Sequence, residues 1–194
     1  MSQEIEIECK NMLTAQEFEQ LCSHFEIGGS DFTRQHNHYF DTPEFMLKNK
    51  GCALRIREKN NRSTLTLKQP HPDGLLETHQ PLTDAEAEEA KKGSKVPDGE
   101  VTDVLSSMNI PVSSLKLLGT LSTERAEFTY ENGLLVLDHS YYLDTEDYEL
   151  EYESPERAQG EKTFYGLLNT FGIEKRETDN KIRRFFNRKR LYKR

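Results

Sequence analysis

Apolar and polar residues alternate strictly along EIEIECK (4–10), ALRIREK (53–59), STLTLKQ (63–69) and RAEFTY (125–130). A period of two is the signature of a half-buried strand. LLVLDHSYY (134–142) and DYELEYE (147–153) read the same way, NHYFDT (37–42) and GLLETHQ (74–80) are shorter candidates, and TLSTE (120–124) ends one more. The Asn-Gly pair at 132–133 predicts a tight hairpin between two of these runs. The pattern therefore predicts about eight strands, mostly consecutive and antiparallel.

Helical segments punctuate the strands. TAQEFEQLCSHF (14–25) opens on a Thr14 N-cap with Glu17 at the capping-box position and closes before Gly28-Gly29. TDAEAEEAKK (83–92) and GEVTDVLSSM (99–108) are shorter. In 154–172 the expected cap is Ser154, with Pro155 at the first helical position and Gly172 after the end. A last, basic helix begins near 178 and is placed at about 178–194; it carries Ile182, Phe185 and Phe186 at i, i+3, i+4. The class is α+β: an antiparallel sheet with flanking helices.

Side chains at i and i+2 share a strand face, roughly 6.5–7 Å apart. Glu4, Glu6, Glu8 and Lys10 fall on one face of the first strand and Ile5, Ile7 and Cys9 on the other. Arg55, Arg57 and Lys59 oppose Leu54 and Ile56; Thr64, Thr66 and Lys68 oppose Leu65 and Leu67. Glu77 lies with Leu75 and His79, Arg125 with Glu127, and Asp138 with Leu134 and Val136. Asp147, Glu149, Glu151 and Glu153 oppose Tyr148, Leu150 and Tyr152. One wet face is normal for an antiparallel sheet, but open wet faces mix in Ser, Thr and Gln. Here several faces are almost purely ionic, with acids on the first and last strands and bases on the middle ones. Curling the sheet into an eight-stranded antiparallel barrel would turn these faces into a tunnel and leave the apolar exterior to the helices.

Composition narrows the class. Apolar residues make up 34% and charged residues 31% of the 194, a length for a single domain. No apolar run is long enough for a transmembrane helix. The acidic start MSQEIEIECK has no apolar signal stretch, and Cys9, Cys22 and Cys52 show neither disulfide nor zinc spacing. The expectation is a cytoplasmic protein without membrane attachment. Residues 181–194 carry eight Lys/Arg and no acid, so residues 1–180 have a net charge of -16. Such a tail could contact nucleic-acid phosphates, but its apolar stripe favours docking on the acidic domain. That would turn Lys181 inward and leave 188–194 solvated. His36 and His38 have a metal-ligand spacing, although an ordinary strand position is the simpler reading.

A tunnel of like charges needs counter-ions. Two unit charges 4 Å apart interact by about 4 kcal/mol at an effective dielectric of 20. Glu6, Glu8, Glu149 and Glu151 together would suit a hard divalent ion, Mg²⁺ or Mn²⁺ before softer metals. Arg55, Arg57, Lys68 and Arg125 would suit phosphate oxygens.

In its first strand Glu6-x-Glu8-x-Lys10 resembles the ExExK signature of the CYTH superfamily, the triphosphate tunnel metalloenzymes. LRIR (54–57), LTLK (65–68), Glu77 of LLET, Arg125, Asp138 of LLVLDH, ELE (149–151) and Lys181 match in order, so the likeness spans nearly the whole chain, 1–194, as one domain. The resemblance implies an eight-stranded tunnel holding a triphosphate and one or two divalent ions, Mg²⁺ or Mn²⁺. It implies Glu6, Glu8, Asp138, Glu149 and Glu151 as metal ligands and Lys10, Arg55, Arg57, Lys68, Arg125 and Lys181 as phosphate clamps. Glu77 would be a supporting acid, and Glu8, Lys10 and Glu151 the catalytic residues; Glu4 and Glu153 would be rim residues. The implied activity is metal-dependent hydrolysis of inorganic, thiamine or nucleoside triphosphate, with a class IV-type adenylyl cyclase or a non-catalytic triphosphate or nucleotide binder as alternatives. The implied partner is a small triphosphate; the oligomeric state is not implied.

Overall fold

A computed structural model describes residues 3–93 and 95–192. Its nine strands are β1 (Gln3–Glu6), β2 (Glu8–Leu13), β3 (Thr33–Asp41), β4 (Ala53–Lys59), β5 (Arg62–His71), β6 (Gly74–Leu82), β7 (Lys116–Tyr130), β8 (Gly133–Tyr142) and β9 (Thr145–Glu153). The six α-helices are α1 (Ala15–His24), α2 (Met46–Asn49), α3 (Asp84–Lys91), α4 (Glu100–Ser107), α5 (Arg157–Phe171) and α6 (Lys181–Tyr192). The fold is α+β, and the strands form one sheet in the order β1-β6-β5-β4-β3-β7-β8-β9-β2. The expected first strand, 4–10, breaks at Ile7 into β1 and β2, which makes nine strands of eight. The basic-tail residues 193–194 lie outside the described residues.

The chain divides into two compact units. The first comprises residues up to Ile5 with Gln35–Leu121. Its strands alternate as the sequence requires. Leu54, Ile56, Leu65, Leu67 and Phe40 are buried with Ala87 and Ala90 of α3, Val101 and Leu105 of α4, and Leu47 of α2. Burying each such Leu or Ile contributes about 1.5–3 kcal/mol before entropy. The register sets Arg55 opposite Tyr39 and Thr66, and Arg57 opposite Asn37 and Thr64. Directly opposed residues share a face, so the polar side of this sheet is continuous across three strands.

The second unit comprises Glu6–Arg34 with Ser122–Arg194. Its core joins Ala126, Leu135, Leu137, Leu150 and Tyr152 to Phe18 and Leu21 of α1 and Phe164, Leu167 and Leu168 of α5. The β7–β8 hairpin forms one residue earlier than the Asn-Gly pair predicts: Glu131, with a left-handed φ of 51°, and Asn132 make the turn, and Gly133 opens β8 opposite Tyr130. Gly133 is needed for space, since a Cβ there would lie 2.3 Å from the Glu153 carbonyl oxygen. The Thr14–Glu17 capping box and the Gly172 C-cap are both present. Helix α5, however, is capped by Glu156, whose carboxylate accepts from the Ala158 and Gln159 N–H groups. The expected Ser154 cap instead donates its hydroxyl to the Glu156 carbonyl; a carboxylate at a helix N-terminus gains from the helix dipole, which a hydroxyl does not.

Strand β2 ends the strand order, and the extended segment 174–178 closes its outer side. Asn11 donates to the Glu174 carbonyl and accepts from the Arg176 N–H at 2.9 and 2.6 Å. The Met12 N–H donates to the Thr178 hydroxyl and its carbonyl accepts from Arg176 Nη1, both at 2.9 Å. Arg176 is held in turn by a two-pronged pair with Glu17.

Candidate active site

In the second unit the sheet register assembles a buried cluster from four strands. Asp138 on β8 is opposite Arg125 on β7 and Glu149 on β9, while Glu151 on β9 is opposite Lys10 on β2. Asp138, Glu149 and Glu151 are all buried. Arg125 grips both oxygens of Asp138, through Nε at 2.7 Å and Nη2 at 2.6 Å, and Nη2 also reaches Glu151 at 2.6 Å. From the first residue of α6, Lys181 places its ammonium 2.9 Å from Asp138 and in hydrogen bonds with Glu149 and Glu151. Lys10 pairs with Glu8 at 2.7 Å.

Burial alone would neutralise these groups, and the neighbouring charges reverse it. Desolvation raises the Glu151 carboxyl, but Lys181 and Arg125 outweigh it and hold the group well below the usual range. The same contest keeps Asp138 low, with Arg125 first among the cations. Burial also opposes the charge on Lys10, yet Glu8, Glu149 and Glu151 keep its ammonium above the ordinary value. Glu153 goes the other way. Burial, then the charges of Glu6, Glu151 and Glu8, push it up to about 7 against Arg125. Acid therefore outweighs base at this end of the face.

Arg184, three residues after Lys181, pairs with Asp147 at 2.9 Å and Glu149 at 2.8 Å, and Arg188 with Asp144 at 2.6 Å. Lys181, Arg184 and Arg188 thus form one ionic stripe on α6 beside the buried Phe185 and Phe186. Arg188 stays at the surface as expected, where Asp144 of the β8–β9 turn engages it.

In the first unit Arg55, Arg57, Lys68 and Glu77 share the polar face. Lys68 pairs with Glu77, and Arg57 Nε donates to Asn37 Oδ1 at 3.1 Å. His79 Nε2 lies 3.0 Å from Glu4 and 3.5 Å from Glu77, and its Nδ1 meets the Thr66 hydroxyl at 3.0 Å. On the reverse face His38 sits 3.2 Å from Glu58 and 2.8 Å from the Thr120 hydroxyl, which is the ordinary strand setting expected of the HxH pair.

The ligand oxygens of Asp138, Glu149 and Glu151 lie within 4.8 Å of one another, and the ligand atoms of Glu4, Glu77 and His79 do likewise. The first set is all carboxylate and fully buried, a donor set that fits a hard divalent ion. The expected metal ligands Glu8, Asp138, Glu149 and Glu151 and the expected clamps Lys10, Arg125 and Lys181 come together in the second unit. Glu6 acts there through its charge on Glu153. Arg125 and Lys181, read from the sequence as phosphate clamps, are bonded to carboxylates. Sequence reasoning missed Arg184 and Asn37. The first was legible in the i, i+3 spacing from Lys181; the second has no signal without the register.

Among the described residues no helix is long and apolar enough to cross a membrane. The CYTH domain profile matches residues 4–186. A Bacillus subtilis (strain 168) protein named "Putative triphosphatase YjbK" is 51% identical over 190 residues, covering 98% of each chain. A Bacillus halodurans crystal structure described as a "putative adenylate cyclase" is 52% identical with a TM-score of 0.93, covering 96% of this chain and 100% of that one. A Hippeastrum structure, described as a "putative adenylyl cyclase" that reveals a dominant triphosphatase activity, shares the fold at 24% identity and a TM-score of 0.78 over 95% of each chain.

Proposed function

The chain belongs to the CYTH domain family, and from that premise we propose that it is a metal-dependent triphosphatase acting on the terminal phosphate of a small triphosphate. The observation that carries this reading is the buried Asp138–Glu149–Glu151 set with Lys181 and Arg125 bonded into it. Three buried carboxylates serve little structural purpose, because buried ion pairs cost about as much in desolvation as they return. The 51% identity to a protein named "Putative triphosphatase YjbK" supports it.

On this reading Asp138, Glu149 and Glu151, with Glu6 and Glu8, hold Mg²⁺ or Mn²⁺. Such an ion supplies Lewis-acid stabilisation of phosphoryl oxygens and a bound water of lowered pKa. Arg55, Arg57 and Lys68 bind the phosphate chain through the charge-assisted hydrogen bonds that guanidinium and ammonium groups make with phosphate. Glu77 orients Lys68. Lys10 and Glu8 keep a proton-bearing cation and a carboxylate 2.7 Å apart beside Glu151. Lys181 and Arg125 hold the carboxylates ionised and in place. A water attacks the terminal phosphorus in line, the bond to the bridging oxygen breaks, and the cations meet the charge developing on the leaving diphosphate. Cys9, Cys22 and Cys52 stand as free thiols, in keeping with a cytoplasmic setting.

The test is phosphate release from inorganic triphosphate, ATP and thiamine triphosphate with Mg²⁺, Mn²⁺ or EDTA, in the wild type and in Glu151→Gln and Arg57→Ala. We expect release that EDTA abolishes and that each variant lowers at least about hundredfold, as expected for loss of a charge acting in the transition state. The relative described as an adenylate cyclase makes cyclic AMP and pyrophosphate the second readout. Their appearance from ATP would establish a cyclase instead. Triphosphate binding without any turnover would leave a carrier.

A further inference from the structure

We propose that Asn37 is a further phosphate-binding residue: its side-chain N–H donates to a phosphoryl oxygen while its carbonyl fixes Arg57. This rests on the triphosphatase reading above and deepens it. Asn37 lies on the polar face of β3, directly opposite Arg57, with Arg55 opposite the next residue of that face, Tyr39. It is 1% exposed, and Arg55 is 9% exposed.

The orientation of the Asn37 amide is not ambiguous. A guanidinium only donates, so the atom that meets Arg57 Nε at 3.1 Å must be the carbonyl oxygen, and the NH₂ group must face the other way. That Nδ2 is buried and has no hydrogen-bond partner among the described residues, and neither has Arg55 Nε. A buried N–H without an acceptor is a cost that folded proteins rarely carry. Two such donors on neighbouring positions of one face, beside the guanidinium of Arg57, make a set that donates only, and a set of that kind suits an anion with several acceptor oxygens. Gln35, the preceding residue of the same face, is equally buried, but its unpartnered atom is the acceptor Oε1, so the donor set consists of Asn37, Arg55 and Arg57.

Arg57 gains from the arrangement as well. The bond to Asn37 Oδ1 fixes the plane of the guanidinium, and a fixed guanidinium plane suits a phosphate oxygen pair. Asn37 therefore acts in two ways, and an experiment can separate them. Inorganic triphosphate is titrated calorimetrically, in EDTA and in Ca²⁺, into the full chain carrying Asn37→Ala, Asn37→Ser, Arg57→Ala or the double change Asn37→Ala with Arg57→Ala. Thermal melts report folding, and the Ser variant carries the measurement if the Ala variant does not fold.

The expected result is binding weakened about ten- to hundredfold by Asn37→Ala, the loss of one hydrogen bond to a charged group, and a further loss when the change is added to Arg57→Ala. Affinity for triphosphate unchanged in both Asn37 variants, while Arg57→Ala weakens it, overturns the assignment and leaves the triphosphatase reading intact. A double variant no weaker than Arg57→Ala alone also overturns the direct contact, since Asn37 would then act only through its neighbour. No binding by the wild type in either medium removes the functional reading and this assignment together.

Discussion

Lys181 is the residue on which the buried cluster turns. Its ammonium is shared by three carboxylates that otherwise have Arg125 and Arg184 as partners. Removing one member of a buried ionic group costs about 3–5 kcal/mol, because the partners stay buried without compensation. Lys181→Ala should therefore unfold at markedly lower urea concentration than the wild type in EDTA. A divalent ion binding the same carboxylates should recover much of that loss, so Mg²⁺ or Mn²⁺ should raise the melting temperature of the variant more than that of the wild type. An equal shift in both proteins would show that Lys181 and the ion do not share ligands.

Arg184 and Arg188 test the ionic stripe of α6 as an element. Both pair with carboxylates, but Arg184 is largely covered between Asp147 and Glu149, its side chain 11% exposed, while Arg188 meets Asp144 at the surface. Arg184→Ala should cost about 3 kcal/mol and Arg188→Ala under about 1 kcal/mol by denaturant unfolding; equal costs would contradict the burial difference. The elements also show what a sequence can disclose. Strands such as β4 and β9 are legible because one face is apolar without interruption. Only the second half of β3 is, because Thr33–His36 is polar on both faces. The continuous β7 reads as two pieces, since Gly119 and a run of small polar residues blur the alternation. Helix α2 spans four residues, too few for any periodicity. The ionic residues of the site are readable because each alternates with an apolar partner, and the likeness to a known motif ordered them. The bonding of Arg125 and Lys181 to carboxylates is not readable, because which cation meets which anion is decided by register and by the docking of α6.

For the whole molecule, pH acts through His38 and, in the opposite sense, through Glu153, whose raised carboxyl takes up a proton in the folded chain below about pH 7 and adds stability as pH falls. Burial lowers the His38 pKa below the ordinary 6.5, partly offset by Glu58, with Lys91 and His36 adding to the depression. The unfolded chain then takes up a proton near pH 6.5 that the folded chain refuses, so this group's effect on stability falls as pH drops below 6.5 and levels off below the folded value. The expected outcome is a His38 imidazole that titrates below 6.5 by NMR. Substituting Asn should remove the His38 contribution, so that stability between pH 6.5 and 5 falls less, or rises more, than in the wild type. Titration above 6.5 would reverse the sign and show Glu58 to dominate.

The segment laid along β2 has a consequence for how copies of this chain behave toward one another. A strand at the end of a sheet's order offers N–H and carbonyl groups to any passing strand, and natural sheets avoid this by blocking the edge. Here Met12 has both backbone groups occupied by Thr178 and Arg176, and Asn11 holds 174 and 176 in register beside it. Three side chains and one short loop thus do for β2 what a tenth strand would do, and they keep its edge from templating the pairing of another copy.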